Sequence, residues 1–129
     1  MTLPADLDPE CLKLCVALND LDGVKTTESC CGHSKGPFRI WFHLDTSTWG
    51  HKVVSRCVCP RYYPSDWTIS MGHNDVEPFT VFVLEGPADP SQGDVFAERI
   101  KETCAHPAVS RLFGISWRSP PRSGAEVKP

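Results

Sequence analysis

The alternation of apolar and polar residues between positions 38 and 44 is the feature that most constrains the fold. The apolar positions are Phe38, Ile40, Phe42 and Leu44, and they alternate with Arg39, Trp41 and His43. Successive side chains of a β-strand point to opposite faces of a sheet, so this pattern predicts a strand with one face on a core. The chain therefore needs a sheet and an apolar cover for one side of it.

The first segment has the pattern of an amphipathic helix that can supply such a cover. Apolar residues recur there at spacings of three and four, at Leu7, Cys11, Leu14, Cys15, Leu18 and Leu21. Asp8 followed by Pro9 and Glu10 is a typical helix start, with the Asp8 carboxylate as the cap and Glu10 as an acid in the first turn. Gly23 is a typical stop. We predict a helix from Pro9 to Asp20.

A second amphipathic helix is predicted from Gln92 to Cys104. Its expected core side is Val95, Phe96, Ile100 and Cys104, and its expected outer side is Glu98, Arg99, Lys101 and Glu102. Between positions 47 and 59 the apolar residues fit both a helical stripe and a strand. We favour a helix of about ten residues there, with a serine or threonine cap.

The remaining patterns indicate strands. Residues 24–29 are rich in β-branched side chains. Residues 67–71 alternate, a turn follows at 73–75, and the more apolar 79–84 completes a β-hairpin whose later strand we place at the centre of the sheet. The chain therefore reads as one α+β domain in the order helix, strand, strand, helix, strand, strand, helix, with the helices packed on a mostly antiparallel sheet.

Length and composition set the domain organisation. The chain has 129 residues, which is enough for one core without metal or disulfide staples. We assign residues 1–117 to the α+β domain, with an apolar end segment at Val109, Leu112, Phe113 and Ile115. Residues 118–129 are rich in serine, proline, arginine and glycine, and we predict that they form a disordered tail.

The cellular location is predicted from general features of the chain. No apolar run approaches the roughly 18 residues of a membrane span, and the first residues do not have the pattern of a secretory signal. The seven cysteines are an odd number and do not indicate a disulfide framework, so we expect free thiols. We therefore predict a cytoplasmic protein with no membrane partner.

One window holds the densest set of reactive side chains, in the order Thr26, Thr27, Glu28, Ser29, Cys30, Cys31, Gly32 and His33. Such groups need partners when they are buried, so they favour a loop, which we place from Cys30 to Pro37. Residues 35–61 contain a single acid, Asp45, and five basic residues, Lys35, Arg39, Lys52, Arg56 and Arg61. This basic block is compatible with an anionic ligand and equally with an ordinary charged surface.

Two kinds of cysteine chemistry fit this window. A nucleophilic Cys30 or Cys31 would use His33 as its base, with loop amides as oxyanion donors. A zinc site would combine one of these cysteines and His33 with the Cys57–Cys59 pair or with His51. The spacing of these residues is not that of a standard zinc module.

A ligand pocket is the third interpretation of the window. Its hydroxyls and Glu28 would supply hydrogen bonds, the loop amides would bind an acid group, and Arg39 or Lys35 would supply charge. The alternative without a ligand is a turn whose polar side chains satisfy only the local backbone. We take as candidate catalytic residues Glu28, Cys30 and His33, and as candidate ligand-binding residues Thr26, Thr27, Ser29, Gly32, Lys35 and Arg39.

The segment from Thr26 to Phe42, together with residues 82–87, resembles a group of uncharacterised bacterial and phage proteins. The shared pattern is Thr-Thr-Glu-Ser-Cys, any residue, Gly-His, followed by Pro-Phe and an alternating strand. The match covers most of residues 8–105. That group has no settled activity, so the resemblance implies a fold more than a function.

A more distant resemblance connects the window to the wybutosine-synthesising tRNA methyltransferase family, whose signature is Thr-Thr-Ser-Ser-Cys-Ser-Gly-Arg. The matching residues are Thr26, Thr27, Ser29, Cys30 and Gly32. That family is α/β and uses S-adenosylmethionine to modify a tRNA base, so the resemblance implies this cofactor. Glu28 and Cys31 replace serines and His33 replaces the arginine, so Lys35 or Arg39 would have to supply the charge.

Our leading hypothesis is a small enzyme or ligand-binding domain distantly like this methyltransferase, with its site at residues 26–33 and a nucleotide-like or other anionic ligand. The net charge of −3 does not favour tRNA as the partner. The rival hypothesis is a non-enzymatic accessory or interaction protein of phage descent, with a cysteine and histidine zinc site. An accessory protein would use the polar side chains of the window in local hydrogen bonds and expose an apolar patch elsewhere.

Overall fold

A computed structural model describes residues 8–71 and 81–107 of the chain. The helices of this part are α1 (Leu12–Asn19), α2 (Trp49–Cys57) and α3 (Gln92–Ala105). Its strands are β1 (Val24–Cys30), β2 (Phe38–Leu44), β3 (Thr68–Met71) and β4 (Val81–Gly86). Short single-turn helices lie at Pro9–Cys11, before α1, and at Gly32–Ser34, between β1 and β2.

The four strands form one antiparallel sheet in the order β1-β2-β4-β3. The predicted α+β class is therefore confirmed. Strand β2 pairs with β1 on one side and β4 on the other, so that Phe42 lies opposite both Thr26 and Phe82. Strand β4 is interior to the sheet, which agrees with the position predicted for the later hairpin strand. The predicted turn at 73–75 lies outside the described residues.

One face of β2 forms the centre of the core. Phe38, Ile40 and Phe42 have no exposed surface, whereas Arg39 on the opposite face is exposed. The helices cover the buried face with side chains that are also fully enclosed, among them Leu14, Leu18, Val53, Val54, Phe96 and Ile100. Burying a side chain of this size stabilises the folded state by about 1.5–3 kcal/mol.

Aromatic rings fill one end of the core. The ring centroid of Trp67 lies 5.6 Å from that of Phe38 and 4.8 Å from that of Phe96. These rings leave no space for a side chain at Gly86 or Gly93, because a Cβ atom at Gly86 would overlap Trp67 and one at Gly93 would lie 2.6 Å from Cζ of Phe38. Both glycines are thus required for close packing of the aromatic cluster.

The buried side of α3 differs from the predicted one. Val95 was expected in the core but is 45% exposed, and Arg99 was expected outside but is 6% exposed. The reason is that α3 packs against both α1 and α2, which enlarges and rotates its buried face. The Arg99 guanidinium is accommodated because it donates hydrogen bonds to the Cys57 carbonyl at 3.2 Å and to the Asp66 carboxylate at 3.3 Å.

The two predicted side-chain caps are not formed. Thr48 precedes α2, but its hydroxyl faces the carbonyl oxygens of Asp22 at 2.8 Å and Asp45 at 2.7 Å, and its single proton is shared between these two acceptors. Thr48 therefore connects the start of α2 to the segments that contain Asp22 and Asp45. Asp8 precedes the first helical turn, and its carboxylate makes no capping bond there. The favoured helix at 47–59 is nevertheless present as α2.

Three further expectations concern the ends of the chain and the membrane. No helix in 8–71 or 81–107 has the length and apolar character needed to cross a membrane. The predicted apolar end segment and the predicted tail at 118–129 lie outside the described residues. The boundary at 117 and the cytoplasmic location stay predictions.

We predict that Gly93→Ala destabilises the protein, although alanine normally favours a helix over glycine by about 1 kcal/mol. The new methyl group would press on the Phe38 ring and on the Glu10 carbonyl oxygen, 2.9 Å from the Cβ position. Overpacking of this kind lowers the free energy of unfolding by about 1–3 kcal/mol. Urea denaturation measures the change, and an increase in stability would contradict the described packing.

The matched control is Gly36→Ala. A Cβ atom at Gly36 would meet no atom within 4 Å, so this variant should stay within about 0.5 kcal/mol of the parent protein.

Candidate functional site

The reactive window begins in a strand and ends in a turn. Residues 26–30 belong to β1, and only the last three residues of the window lie beyond it. A register shift between Thr26 and Glu28 in the pairing with β2 marks a β-bulge at Thr27. The bulge inserts one extra residue, so Thr26 and Ser29 both lie opposite core-facing residues of β2. The polar side chains are therefore divided between the two faces of the sheet.

The threonine hydroxyls of the window are used inside the fold. Thr26 is 3% exposed and exchanges two 2.9 Å hydrogen bonds with the Asn19 side-chain amide, one to its hydroxyl and one from its backbone N–H. The Thr27 hydroxyl donates to the Trp41 carbonyl at 3.2 Å. These bonds join the end of α1 and strand β2 to β1, and they use the hydroxyl of the buried Thr26 and the hydroxyl proton of Thr27 inside the fold.

Ser29 and Glu28 occupy opposite environments. The Ser29 hydroxyl is buried and has no oxygen or nitrogen partner among the described residues. Its polar neighbours are the thiols of Cys11 and Cys15. Sulfur is a weak partner, so this contact satisfies the hydroxyl poorly. Glu28 is exposed and lies opposite Trp41 on the outer face of the sheet. The two side chains therefore do not converge on one site.

The turn after β1 has an unusual backbone. Gly32, His33 and Ser34 all have positive φ values, of 78°, 51° and 67°. This region is costly for residues with a side chain, so the surroundings must hold His33 and Ser34 in place. The backbone N–H groups of Lys35 and Gly36 donate to the Gly32 carbonyl at 2.9 and 3.1 Å, and a Cβ atom at Gly32 would lie 2.7 Å from the Pro37 carbonyl oxygen.

Asp8, which precedes the first helical turn, contacts this turn through its side chain. Its Oδ2 accepts a hydrogen bond from the Cys31 backbone N–H at 3.3 Å and lies 3.9 Å from Nε2 of His33. Nδ1 of His33 lies 3.7 Å from Sγ of Cys31. Donor atoms of Asp8, Cys31 and His33 all lie within 4.8 Å of one another. We call these three residues the DCH cluster.

The surroundings of the Cys31 thiol are acidic. Its Sγ lies 3.9 Å from Oε1 of Glu10. Burial is the main cause that raises the pKa of the thiol above its usual value, and the negative charges of Asp8 and Glu10 act in the same direction. The thiol is therefore protonated at neutral pH, which does not favour Cys31 as a nucleophile.

Cys30 lies at the edge of this arrangement. Its Sγ accepts a hydrogen bond from the Gly32 backbone N–H at 3.4 Å, and its side chain is half-buried. It lies opposite Arg39 on the outer face of the sheet. The two adjacent cysteines thus point into different environments.

The predicted basic groups do not surround the DCH cluster. Nε of Arg39 lies 2.9 Å from Oε2 of Glu85, and both side chains are roughly half-exposed. Such a pair is screened by water, so it contributes at most about 1 kcal/mol. Lys35 is exposed at the end of the turn. Cζ of Arg56, in α2, lies 3.7 Å from the ring centroid of Tyr62, which follows α2. Arg39 and Arg56 thus make contacts of their own, with Glu85 and Tyr62.

The larger zinc set considered from sequence does not assemble. Cys57 lies in α2, where its thiol contacts the Thr103 hydroxyl at 3.4 Å and burial raises its pKa to about 11. Among residues 8–71 and 81–107, the DCH cluster is the only place where three or more potential metal ligands come together. It contains neither Cys59 nor His51.

Sequence reasoning missed two members of the site, Asp8 and Glu10. Both were interpreted as helix-start residues, because an acid before and after a proline is typical of a helix N-terminus. The hydrogen bond from Cys31 to Asp8 joins residues 23 positions apart. A local sequence pattern does not indicate a contact between residues so far apart. The contact is seen only in the tertiary structure, where the segment before α1 packs against the turn after β1.

The exposure of the cysteines predicts which thiols react with an alkylating reagent in the folded protein. Cys30 and Cys59 are half-buried, whereas the other five thiols are buried. Burial also raises the pKa of Cys11 and Cys104 to about 12. At pH 8, N-ethylmaleimide should therefore label Cys30 and Cys59 at least ~10-fold faster than the buried five, because the thiolate is the reactive form.

Peptide mass spectrometry over a time course measures these rates, and labelling in urea provides the control in which all seven thiols react. If Cys31 were labelled as fast as Cys30, its contacts with Asp8 and Glu10 would not hold in solution.

Comparison with known proteins gives no assignment. The chain matches no protein-family model, no curated protein and no solved structure. What the site does must therefore follow from its own residues.

Proposed function

We propose that the protein is a metal-binding accessory domain that holds a zinc ion at the DCH cluster. One observation supports this proposal above all. A carboxylate oxygen, a thiol sulfur and an imidazole nitrogen lie within 4.8 Å of one another, and these are the three donor types that zinc takes from proteins.

The distances suit zinc. Bonds of about 2.0–2.3 Å in a tetrahedral site place neighbouring donor atoms about 3.3–3.8 Å apart. The 3.7 Å between Sγ of Cys31 and Nδ1 of His33 falls within this range. Oδ2 of Asp8 lies 3.9 Å from the other ring nitrogen of His33, Nε2, so the imidazole or the Asp8 side chain would have to rotate for three ligands to meet at one ion. A water or Glu10 can occupy the fourth position.

The local charge also favours a cation. Asp8 and Glu10 bring two carboxylates to the buried Cys31 thiol. A zinc ion would offset these charges and bind Cys31 as the thiolate, since metal binding displaces the thiol proton. The turn fixes the backbone of His33, whereas its side chain is 68% exposed and would become ordered when the metal binds.

The contacts of the window favour this accessory function over an anionic ligand. Thr26 and Thr27 use their hydroxyls inside the fold, and Arg39 is paired with Glu85. An apolar groove lies elsewhere, between α1 and α3. Local hydrogen bonds together with a separate apolar surface are what an accessory protein is expected to show. The methyltransferase-like activity with S-adenosylmethionine stays a prediction from the resemblance.

A zinc ion at this place would have a structural effect. It would connect the turn before α1 with the loop after β1, two segments that are 23 positions apart in the chain. Binding to the folded state alone adds about 2.7 kcal/mol of stability when free zinc is at 100 times the dissociation constant.

Zinc titration against a chromophoric chelator, with the full chain reduced and freed of metal, tests the proposal. We expect one zinc per chain. Cys31→Ser, His33→Asn and Asp8→Asn should each weaken binding by at least ~10–100-fold, which is the loss found even for groups that only support a ligand. Asparagine is chosen at position 33 because it tolerates a positive φ, so the turn is preserved.

Cys30→Ser is the matched control, because it removes the neighbouring thiol outside the cluster and should leave zinc affinity unchanged. Cobalt provides a second measurement, since a cobalt–thiolate absorption band should survive in Cys30→Ser and disappear in Cys31→Ser. The proposal fails if zinc does not bind, or if the band depends on Cys30 instead. Native mass spectrometry with added S-adenosylmethionine tests the methyltransferase-like alternative in the same samples.

A further inference from the structure

An apolar groove runs between α1 and α3. Its volume is about 580 Å³. Its apolar lining comes from Leu12, Val16 and Ala17 of α1 and from Ile100 and Ala105 of α3, and the charged residues Lys13, Asp20 and Lys101 also line it. Leu12 is 46% exposed, so apolar surface of the groove is accessible. An accessible apolar groove is a candidate contact surface for another segment or a partner.

The end of the described chain lies beside this groove. Helix α3 ends at Ala105, and His106 leaves the helix in an extended conformation, with φ −68° and ψ 123°. The described part ends at Pro107, only two residues beyond the groove-lining Ala105. The residues that follow therefore start at the groove.

The sequence that follows is the most apolar stretch outside the described residues. Its apolar side chains are Val109, Leu112, Phe113, Ile115 and Trp117. The eight residues of α1 span about 12 Å. The ten residues from 108 to 117 reach about 15 Å if helical and about 33 Å if extended, so either conformation covers the groove.

We propose that residues 109–117 of the same chain dock in the groove between α1 and α3. Val109, Leu112 and Phe113 have the spacing of one helix face and match the apolar lining in chemistry. Attachment at Pro107 gives the segment a local concentration in the millimolar range, which exceeds that of a second copy or of a foreign partner in solution. The domain is then completed by its own C-terminal segment.

Trypsin cleavage of the full chain tests this docking, because the chain contains its own reference sites. Arg111 lies within the segment, whereas Arg118 and Arg122 lie beyond it. Cleavage of a docked segment requires its release, so its rate follows the released fraction. We expect cleavage after Arg111 to be at least ~10-fold slower than cleavage after Arg118 or Arg122, as measured by mass spectrometry over time.

Two variants that approach the contact from opposite sides should remove the protection. Val16→Glu places a charge in the groove, and Phe113→Ser removes an aromatic side chain from the middle of the segment. Each should raise the rate of cleavage after Arg111 to that at the reference sites. Met71→Glu is the matched control on β3, because Met71 is 70% exposed and does not line the groove, and it should leave the protection unchanged.

Circular dichroism checks that Val16→Glu still folds, and Phe113→Ser alters no residue of the described domain. Equal cleavage rates after Arg111, Arg118 and Arg122 in the parent protein would overturn the proposal. Slow cleavage after Arg111 that persists in both Val16→Glu and Phe113→Ser would overturn it too. Protection that increases with protein concentration would assign the groove to a second copy of the chain, and would overturn it as well.

Discussion

The burial of one face of β2 is the constraint on which the rest of the structure depends. Strand β2 is paired on both edges, and its core-facing side chains at Phe38, Ile40 and Phe42 have no exposed surface. Because strand side chains alternate with a period of two, a shift of one residue against β1 or β4 would place polar groups in the core. The face of the sheet on which the β1 part of the reactive window lies follows from this register and from the bulge at Thr27.

The bulge in β1 explains how a polar sequence is accommodated next to that core. It turns Thr26 and Ser29 inward, where Asn19 satisfies Thr26 with two hydrogen bonds and Ser29 is left against thiols. Beyond the strand, Asp8 supplies the acceptor that the Cys31 N–H requires. The first residues of the window therefore form hydrogen bonds within the fold, and the last ones include Cys31 and His33 of the DCH cluster.

The candidate metal site and the apolar groove meet on one short segment of the chain. Asp8 and Glu10 lie in the turn that leads into α1, and Leu12 and Val16 follow on α1 itself. Helix α1 has only eight residues, which is too short to be stable alone in water, so its stability comes from its contacts. A metal ion at its start and a docked segment along its exposed side would stabilise the same element from two directions.

The amino-acid sequence by itself determined the α+β class and the elements near the core, because the two-residue and 3.6-residue periods of apolar side chains are local properties. It also indicated that residues 26–33 contain the reactive groups. Only the tertiary structure decided that Arg99 is buried and Val95 exposed, since that depends on α3 packing against two other helices. It likewise brought Asp8 to Cys31 and His33, because a contact across 23 positions leaves no local pattern to read.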